Sequence, residues 1–189
     1  MPRAGLSSAA VVGRAAEMLD DGGLEALNLA ALAESLGVRV PSLYKHIEGM
    51  PGLRRGIMIR AKADLGRVMG QAAIGRSRED AIRGLSFAYR QWALQHPGQY
   101  PLTVLAPTPG DVEDAAATED AIEVIFTVLA GYNLREDDAV HATRFLRSAL
   151  HGFVSLETGG GFKLPVGLAT SYDRLVDSVV TALENWARP

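Results

Sequence analysis

The sequence has no cysteine, and its 189 residues include only five phenylalanines, five tyrosines, two tryptophans and four histidines. Without cysteine the chain can form no disulfide, no thiolate zinc site and no thiol nucleophile. Charged residues interrupt every apolar run before it reaches about 18 residues, which predicts that no segment spans a membrane. The N-terminal residues MPRAGLSSAA lack the apolar stretch of a signal peptide, so we expect a cytoplasmic protein.

Sequence motifs typical of enzymes are missing as well. The chain contains no GxSxG, P-loop or GxGxxG pattern, and its glycine run 159–161 follows a predicted helix rather than a strand. His141 and His151 are far apart along the chain and belong to no HExxH motif, so no metal site is predicted. The acidic pairs 20–21 and 137–138 stand at predicted helix ends, where carboxylates are usually solvated or act as caps. We therefore expect neither catalysis nor a bound cofactor.

The composition that remains is that of an ordinary globular protein, with 48% hydrophobic and 22% charged residues and a formal charge of −3. Most windows carry apolar residues at i, i+3, i+4 and i+7, the spacing of amphipathic helices. These patterns predict an all-α fold with a three-helix head in residues 1–50 and a larger helical body in residues 51–189. Residues 1–60 are slightly basic and the rest acidic, which permits a nucleic-acid-binding head without establishing one.

Residues 28–47 (NLAALAESLGVRVPSLYKHI) contain the most informative pattern. Two short helices are predicted, the first with Asn28 as its N-cap and the second beginning near Val40 with Pro41 in its first turn. A tight turn at Gly37 joins them, and this spacing is that of a helix-turn-helix. An αα-hairpin of an ordinary helical protein has the same turn geometry, so the spacing alone leaves both interpretations open.

The second of these short helices is expected to present polar and basic side chains to solvent. The residues on this outward side are Arg39, Val40, Ser42, Lys45 and His46. Such side chains can reach base edges or phosphates when a helix enters the major groove. The Tyr44 hydroxyl is well placed for a phosphate contact, which positions a protein but reads no sequence. Their concentration on so short a helix favours a DNA-binding surface.

The same segment resembles the DNA-binding domain of TetR-type transcriptional regulators. The similarity is carried by LGVRVPSLYKHI, by LNLAALAES before it and by LDDGGLEAL at the end of the first helix, and it covers about residues 6–60. The resemblance implies a sequence-specific regulator, expected to be a repressor, that a small-molecule effector releases from a palindromic double-stranded operator. It places the DNA contacts on Asn28, Arg39, Val40, Pro41, Ser42, Tyr44, Lys45 and His46.

Three positions lack basic residues that are common in the family. Ala30 and Ala31 stand early in the second helix and Met50 starts the fourth, where members often carry basic residues. Fewer phosphate contacts predict weak salt dependence, with a slope of log affinity against log salt below about 6 in magnitude. The arginines available to compensate are Arg3, Arg54 and Arg55. The alternative is a helical effector- or partner-binding module with weak or lost DNA binding.

A second resemblance concerns residues 150–162 (LHGFVSLETGGGF), which are similar to a C-terminal regulatory domain with a Trp-His-Gly-like signature. The family resemblance implies an effector pocket in the body, and an aromatic lining favours an apolar or aromatic ligand. The candidate pocket residues are Met58, Phe87, Trp92, Tyr100, Phe126, His141, Arg144, Phe145, Ser148 and His151. The polar members share one side of a predicted helix, which faces either water or an internal cavity.

A homodimer is also expected, because two recognition helices about 34–36 Å apart read a palindrome. The candidate interface is formed by apolar stripes on the last two predicted helices: Leu146, Leu150, Phe153, Leu175, Val179 and Leu183. The same stripes also suit the chain's own core. In this hypothesis the effector favours a head spacing that no longer matches the operator.

Overall fold

A computed structural model describes residues 6–186, so Arg3 lies outside the described part. Within those residues the chain forms only helices, which confirms the predicted all-α class. The helices are α1 (Ser8–Ala26), α2 (Leu29–Ser35), α3 (Val40–Leu43), α4 (Gly49–Ala73), α5 (Arg78–Gln95), α6 (Tyr100–Thr103), α7 (Val112–Ala130), α8 (Glu136–Thr158) and α9 (Leu168–Glu184). No helix of the described residues is both long and apolar enough to cross a bilayer.

The chain divides into two compact units, each built from two stretches of sequence. Unit 1 comprises Met1–Lys62 and Gln95–Ala115, and unit 2 comprises Ala63–Leu94 and Ala116–Pro189. The predicted boundary between residues 50 and 51 therefore falls inside unit 1. The physical reason is that Leu53 and Ile57 of α4 are fully buried in the core formed by the first three helices.

The core of unit 1 is supplied by one apolar face from each N-terminal helix. Its buried members are Val11, Ala15, Ala16, Leu19, Leu27, Leu32, Ala33, Leu43, Ile47, Leu53 and Ile57. The helix starts follow the sequence: the Asn28 side-chain oxygen accepts a hydrogen bond from the Ala31 amide at 2.9 Å, and Pro41 lies in the first turn of α3. The glycine pair at positions 22–23 does not end α1. Gly23, at φ 68° and ψ −167°, kinks the helix, which continues to Ala26.

The end of α1 is fastened to the segment between α5 and α6 in unit 1. The Asp20 carboxylate accepts hydrogen bonds from the backbone amides of Gly98 and Gln99, both at 3.0 Å, and from the Gln99 side-chain amide at 2.6 Å. The His96 Nδ1 lies 2.8 Å from the same carboxylate. Gly98 is required at this crossing, because a Cβ there would overlap the Leu19 carbonyl. One aspartate thus joins two segments that are distant in sequence.

In unit 2, α9 packs on α8 and is tied to α5 by a polar contact. The Tyr172 hydroxyl donates a 2.7 Å hydrogen bond to the Ser86 carbonyl. Arg90 of α5 forms a bidentate pair with Glu157 of α8, at 2.8 and 2.6 Å, and its guanidinium lies 5.1 Å from the centre of the Tyr172 ring. The three helices are therefore connected by polar contacts as well as by their apolar faces.

Candidate functional site

The short helix α3 and the turn after it form the candidate DNA-reading surface. Leu43 is fully buried and Ile47 nearly so, which fixes α3 against the core of unit 1. Of the DNA-contacting residues expected from the sequence, Arg39, Pro41, Tyr44 and Lys45 are exposed, while Ser42 and His46 are half-buried. Val40 differs from the expectation, because its apolar side chain packs partly against the core.

Asn28 stays exposed at the start of α2. Its side-chain oxygen is occupied by the cap to Ala31, and the amide nitrogen retains two donors. Ala30 is exposed beside it and has no donor to offer. The start of α2 therefore contributes one polar side chain to this surface.

Beside α3 lies a groove, here called the head groove, with a volume of about 630 Å³. It is lined by the first turns of α1, the turn after α3 and the start of α4: Ser8, Val12, Tyr44, Lys45, His46, Ile47, Glu48, Gly52, Arg55 and Gly56. Gly56 allows α4 to approach α1, since a Cβ there would lie 2.8 Å from a Val12 methyl. Its basic side chains are Lys45 and Arg55, and Glu48 adds a negative charge to the lining.

Arg55 is engaged by the beginning of α7. Its Nε and Nη2 atoms bind both Asp111 oxygens at 2.5 and 2.6 Å, and Nη2 also lies 2.6 Å from Glu113. The hydrogen bonds from Arg55 lower the pKa of Asp111 to about 2, so this carboxylate is charged near neutral pH. Asp111 also accepts a 3.1 Å hydrogen bond from the Asp114 amide and thereby caps α7. Sequence reasoning missed the Arg55 pairing, whose partners are more than 50 positions away.

A second ion pair in unit 1 anchors the same helix start. Lys62 Nζ lies 2.6 Å from an Asp114 oxygen, and both side chains are almost completely buried. The other Asp114 oxygen accepts a 3.1 Å hydrogen bond from the Thr108 amide. The beginning of α7 is thus held by a buried contact that does not involve Arg55.

The predicted effector residues are divided between the two units. Met58 and Tyr100 belong to unit 1 and the other eight to unit 2. Trp92 is buried and donates a 2.8 Å hydrogen bond to Asp64, while Phe126 and His151 are half-buried. The exposed members are Phe87, His141, Arg144, Phe145 and Ser148. The polar line on α8 therefore faces outward, since helical spacing groups these residues without indicating which side is covered.

A shallow apolar groove of about 310 Å³ in unit 2 was not predicted. It lies between α4 and α7 and is lined by Gly70, Ala73, Ile74, Asp120, Glu123, Val124, Thr127 and Val128. The two helices approach closely beside it, because Cβ atoms at Gly66 and Gly70 would lie 3.1 Å from Ala121 and 3.4 Å from a Val124 methyl. Two glycines four positions apart were the available sequence signal.

Most side chains of the predicted dimer stripes are buried in the chain's own core. Leu146, Leu150, Val179 and Leu183 are buried, and Phe153 and Leu175 are half-buried. Phe153 packs against the rings of Phe162 and Tyr172, at 4.9 and 5.1 Å between centroids. These four side chains are buried within the single chain, and the dimer interface stays a prediction.

Comparison with known proteins gives a consistent result. A family model described as "Tetracyclin repressor-like, C-terminal domain" matches residues 82–179. An uncharacterized HTH-type transcriptional regulator of Mycobacterium tuberculosis is 39% identical over 156 residues, which cover 82% of this chain and 72% of that protein. A second such regulator, from Bacillus subtilis, is 37% identical over 158 residues, covering 82% and 81%.

Among solved structures, a TetR variant from Acinetobacter baumannii in complex with minocycline is similar in fold. Its TM-score is 0.74 at 19% identity, and the match covers 98% of this chain and 100% of that one. At this identity the likeness concerns the fold alone.

Proposed function

Since the chain belongs to the TetR family of helix-turn-helix transcriptional regulators, we propose that it is a repressor that binds a palindromic DNA operator as a homodimer and is released by a small-molecule effector. Membership of this family makes it a DNA-binding regulator and not an enzyme. The proposal concerns the operator contacts, the dimer and the effector.

The division of side chains on α3 is the observation that carries this proposal. Leu43 and Ile47 secure the helix and its following turn, so the neighbouring Arg39, Tyr44 and Lys45 are free to meet a duplex. Arginine and lysine donate to guanine edges and phosphates, and a tyrosine hydroxyl donates to phosphate. A short helix with so little apolar contact is suited to entering a major groove.

The head groove supports a phosphate contact next to α3. Tyr44 and Lys45 border it, and α1 contributes Ser8 from a first turn that contains no acidic residue. The positive end of a helix dipole attracts an anion. Met50, by contrast, packs partly against the core of unit 1, and Arg55 is held by two carboxylates. We therefore retain a salt slope below about 6 in magnitude.

For the dimer interface, we take the exposed apolar side chains on α8 and on the segment after it as candidates, in place of the buried stripes. These are Phe145, Leu156, Phe162, Leu164 and Val166. Exposed apolar groups that together form one surface favour burial against a second copy. A homodimer formed through this surface is the version that we propose.

For the effector, the supporting observation comes from the Acinetobacter TetR variant, whose structure contains minocycline. We propose that unit 2 of this chain also binds a small molecule of largely apolar character. The groove between α4 and α7 offers an apolar surface bordered by Asp120 and Glu123. An effector bound there acts only through its different affinities for the DNA-bound and released states.

Selection of duplexes from a random pool at low salt tests the proposal. We expect enrichment of a palindrome, and loss of gel retardation for Tyr44→Ala and Lys45→Ala. Lys163→Ala removes an equally exposed lysine from unit 2 and should bind like the wild type. Screening compounds for release of the selected duplex then identifies the effector. Failure of the wild type to enrich any duplex would instead favour the module without DNA binding.

A further inference from the structure

Arg55 borders the head groove, yet its guanidinium is bound to protein rather than open to a ligand. It makes three short contacts with the two carboxylates that begin α7, two to Asp111 and one to Glu113. One positive and two negative charges give this cluster a net charge of −1. The start of α7 therefore neutralises a cation beside the surface proposed to meet DNA.

The geometry of this contact is one that a phosphate can replace. A guanidinium presents parallel N–H donors that match the two oxygens of a carboxylate or of a phosphate. Arg55 uses its Nε and Nη2 atoms on the two oxygens of Asp111 in this bidentate manner. A DNA phosphate and Asp111 would thus compete for the same face of Arg55.

Solvent access makes such an exchange feasible. The Arg55 side chain is 43% exposed and that of Glu113 is 73% exposed, while that of Asp111 is 13% exposed. The exposed Arg55–Glu113 pair contributes little to stability. The start of α7 does not depend on Arg55. Asp111 caps the helix through the Asp114 amide, and the buried Lys62–Asp114 pair anchors the same turn.

We propose that Asp111 and Glu113 act as an internal substitute for DNA phosphate, which holds Arg55 and thereby limits the affinity of the head groove for duplex. The inference rests on the proposed function, because it assigns a regulatory element to that same DNA-binding surface. On contact with DNA, Arg55 leaves the two carboxylates and binds a phosphate, and the affinity measured is the net result of this exchange.

The test uses the full-length chain and the duplex selected from the random pool. Binding is measured at several salt concentrations for the wild type, Glu113→Gln, Arg55→Ala and the double variant, with Glu119→Gln as control. Glu119 is an exposed glutamate further along α7, so its substitution changes the net charge equally. Melting temperatures establish that each variant is folded, and the exposed position of Glu113 keeps its substitution compatible with the fold.

If the inference holds, Glu113→Gln binds about threefold more tightly, and its salt slope grows by up to about 0.9, the value for one added phosphate contact. The same substitution has no effect when Arg55 is already alanine, and Glu119→Gln binds like the wild type. The interaction between the two substitutions is the decisive quantity.

Two results overturn the inference while leaving the proposed function intact. In the first, the wild type binds the duplex and Glu113→Gln binds it equally. In the second, Glu113→Gln tightens binding to the same extent with alanine at position 55, which identifies simple repulsion between Glu113 and DNA. If the wild type binds no duplex at any salt concentration, the proposed function fails and the inference fails with it.

Discussion

Two buried tyrosines of unit 2 differ in whether their hydroxyl group has a hydrogen-bond partner. The Tyr172 hydroxyl donates to the Ser86 carbonyl, whereas the Tyr132 hydroxyl is buried with no hydrogen-bond partner among the described residues. Burial raises the pKa of both phenols, that of Tyr132 to about 12. Both side chains are therefore neutral over the physiological range, and they differ only in hydrogen bonding.

We predict opposite results for the two phenylalanine variants. Tyr172→Phe should lower the free energy of unfolding by about 1 kcal/mol, because it removes the hydrogen bond from the Tyr172 hydroxyl to the Ser86 carbonyl. Tyr132→Phe should leave it unchanged or raise it slightly, because it removes an unpaired polar atom. Urea unfolding at neutral pH measures both. Equal losses for the two variants would contradict this account.

The raised pKa of Tyr132 also predicts how stability depends on pH in the alkaline range. Because the pKa of Tyr132 is higher in the folded state, the wild type has its full stability below about pH 10, the pKa of the unfolded side chain. The part of this stability that depends on a neutral Tyr132 is lost as the pH rises through about 12. Tyr132→Phe should accordingly lose less stability over this interval than the wild type does.

Single residues were predictable from sequence where their partners are near in the chain. The Asn28 cap and Pro41 in the first turn of α3 both depend on neighbours within a few positions. The Arg55 contacts with Asp111 and Glu113 span 56 and 58 positions. No local pattern contains such a pairing, because it depends on how the helices pack.

At the scale of elements, the contact between α4 and the start of α7 depends on a buried charge pair. Lys62 and Asp114 are 2% and 0% exposed, so each is desolvated and relies on polar partners. Such a pair adds little to stability over well-packed apolar residues, but removing one partner leaves the other charge uncompensated. The contact is therefore sensitive to single substitutions.

We predict that Lys62→Met lowers the free energy of unfolding by about 3–5 kcal/mol. Adding Asp114→Asn should restore part of this loss, because the remaining buried group is then neutral. Arg67→Ala, a little more than one turn further along α4, breaks an exposed pair with Asp64 and should cost less than about 1 kcal/mol. Chemical denaturation compares the variants. A Lys62→Met loss no larger than that of Arg67→Ala would contradict the prediction.

The positions of the helices were largely predictable from apolar spacing. The element that packs against the apolar face of each helix was not. The spacing correctly indicated that Leu146 and Val179 are buried, and the covering surface is the chain's own core rather than a second copy. Likewise, the line of polar residues on α8 was correctly grouped, and it faces outward. The spacing of apolar residues describes one helix at a time, whereas the burial of a helix face depends on how several helices pack together.

For the whole molecule, self-association should depend on the exposed apolar side of α8. Leu156 is 52% exposed there, and burying a glutamate at this position against a partner would be costly. We predict that Leu156→Glu weakens dimerisation about a hundredfold, measured by sedimentation over a range of concentrations. Leu105→Glu, at a leucine of unit 1 that is 50% exposed, should associate like the wild type. Equal behaviour of the two variants would exclude this surface.

The fastening of Asp20 to the segment around Gly98 has a consequence for building chimeric regulators. Because unit 1 is assembled from Met1–Lys62 and Gln95–Ala115, a transplant of the first 50 residues would leave Leu53 and Ile57 behind and strand the Asp20 carboxylate. A graft that transfers operator preference to another scaffold therefore has to carry both pieces.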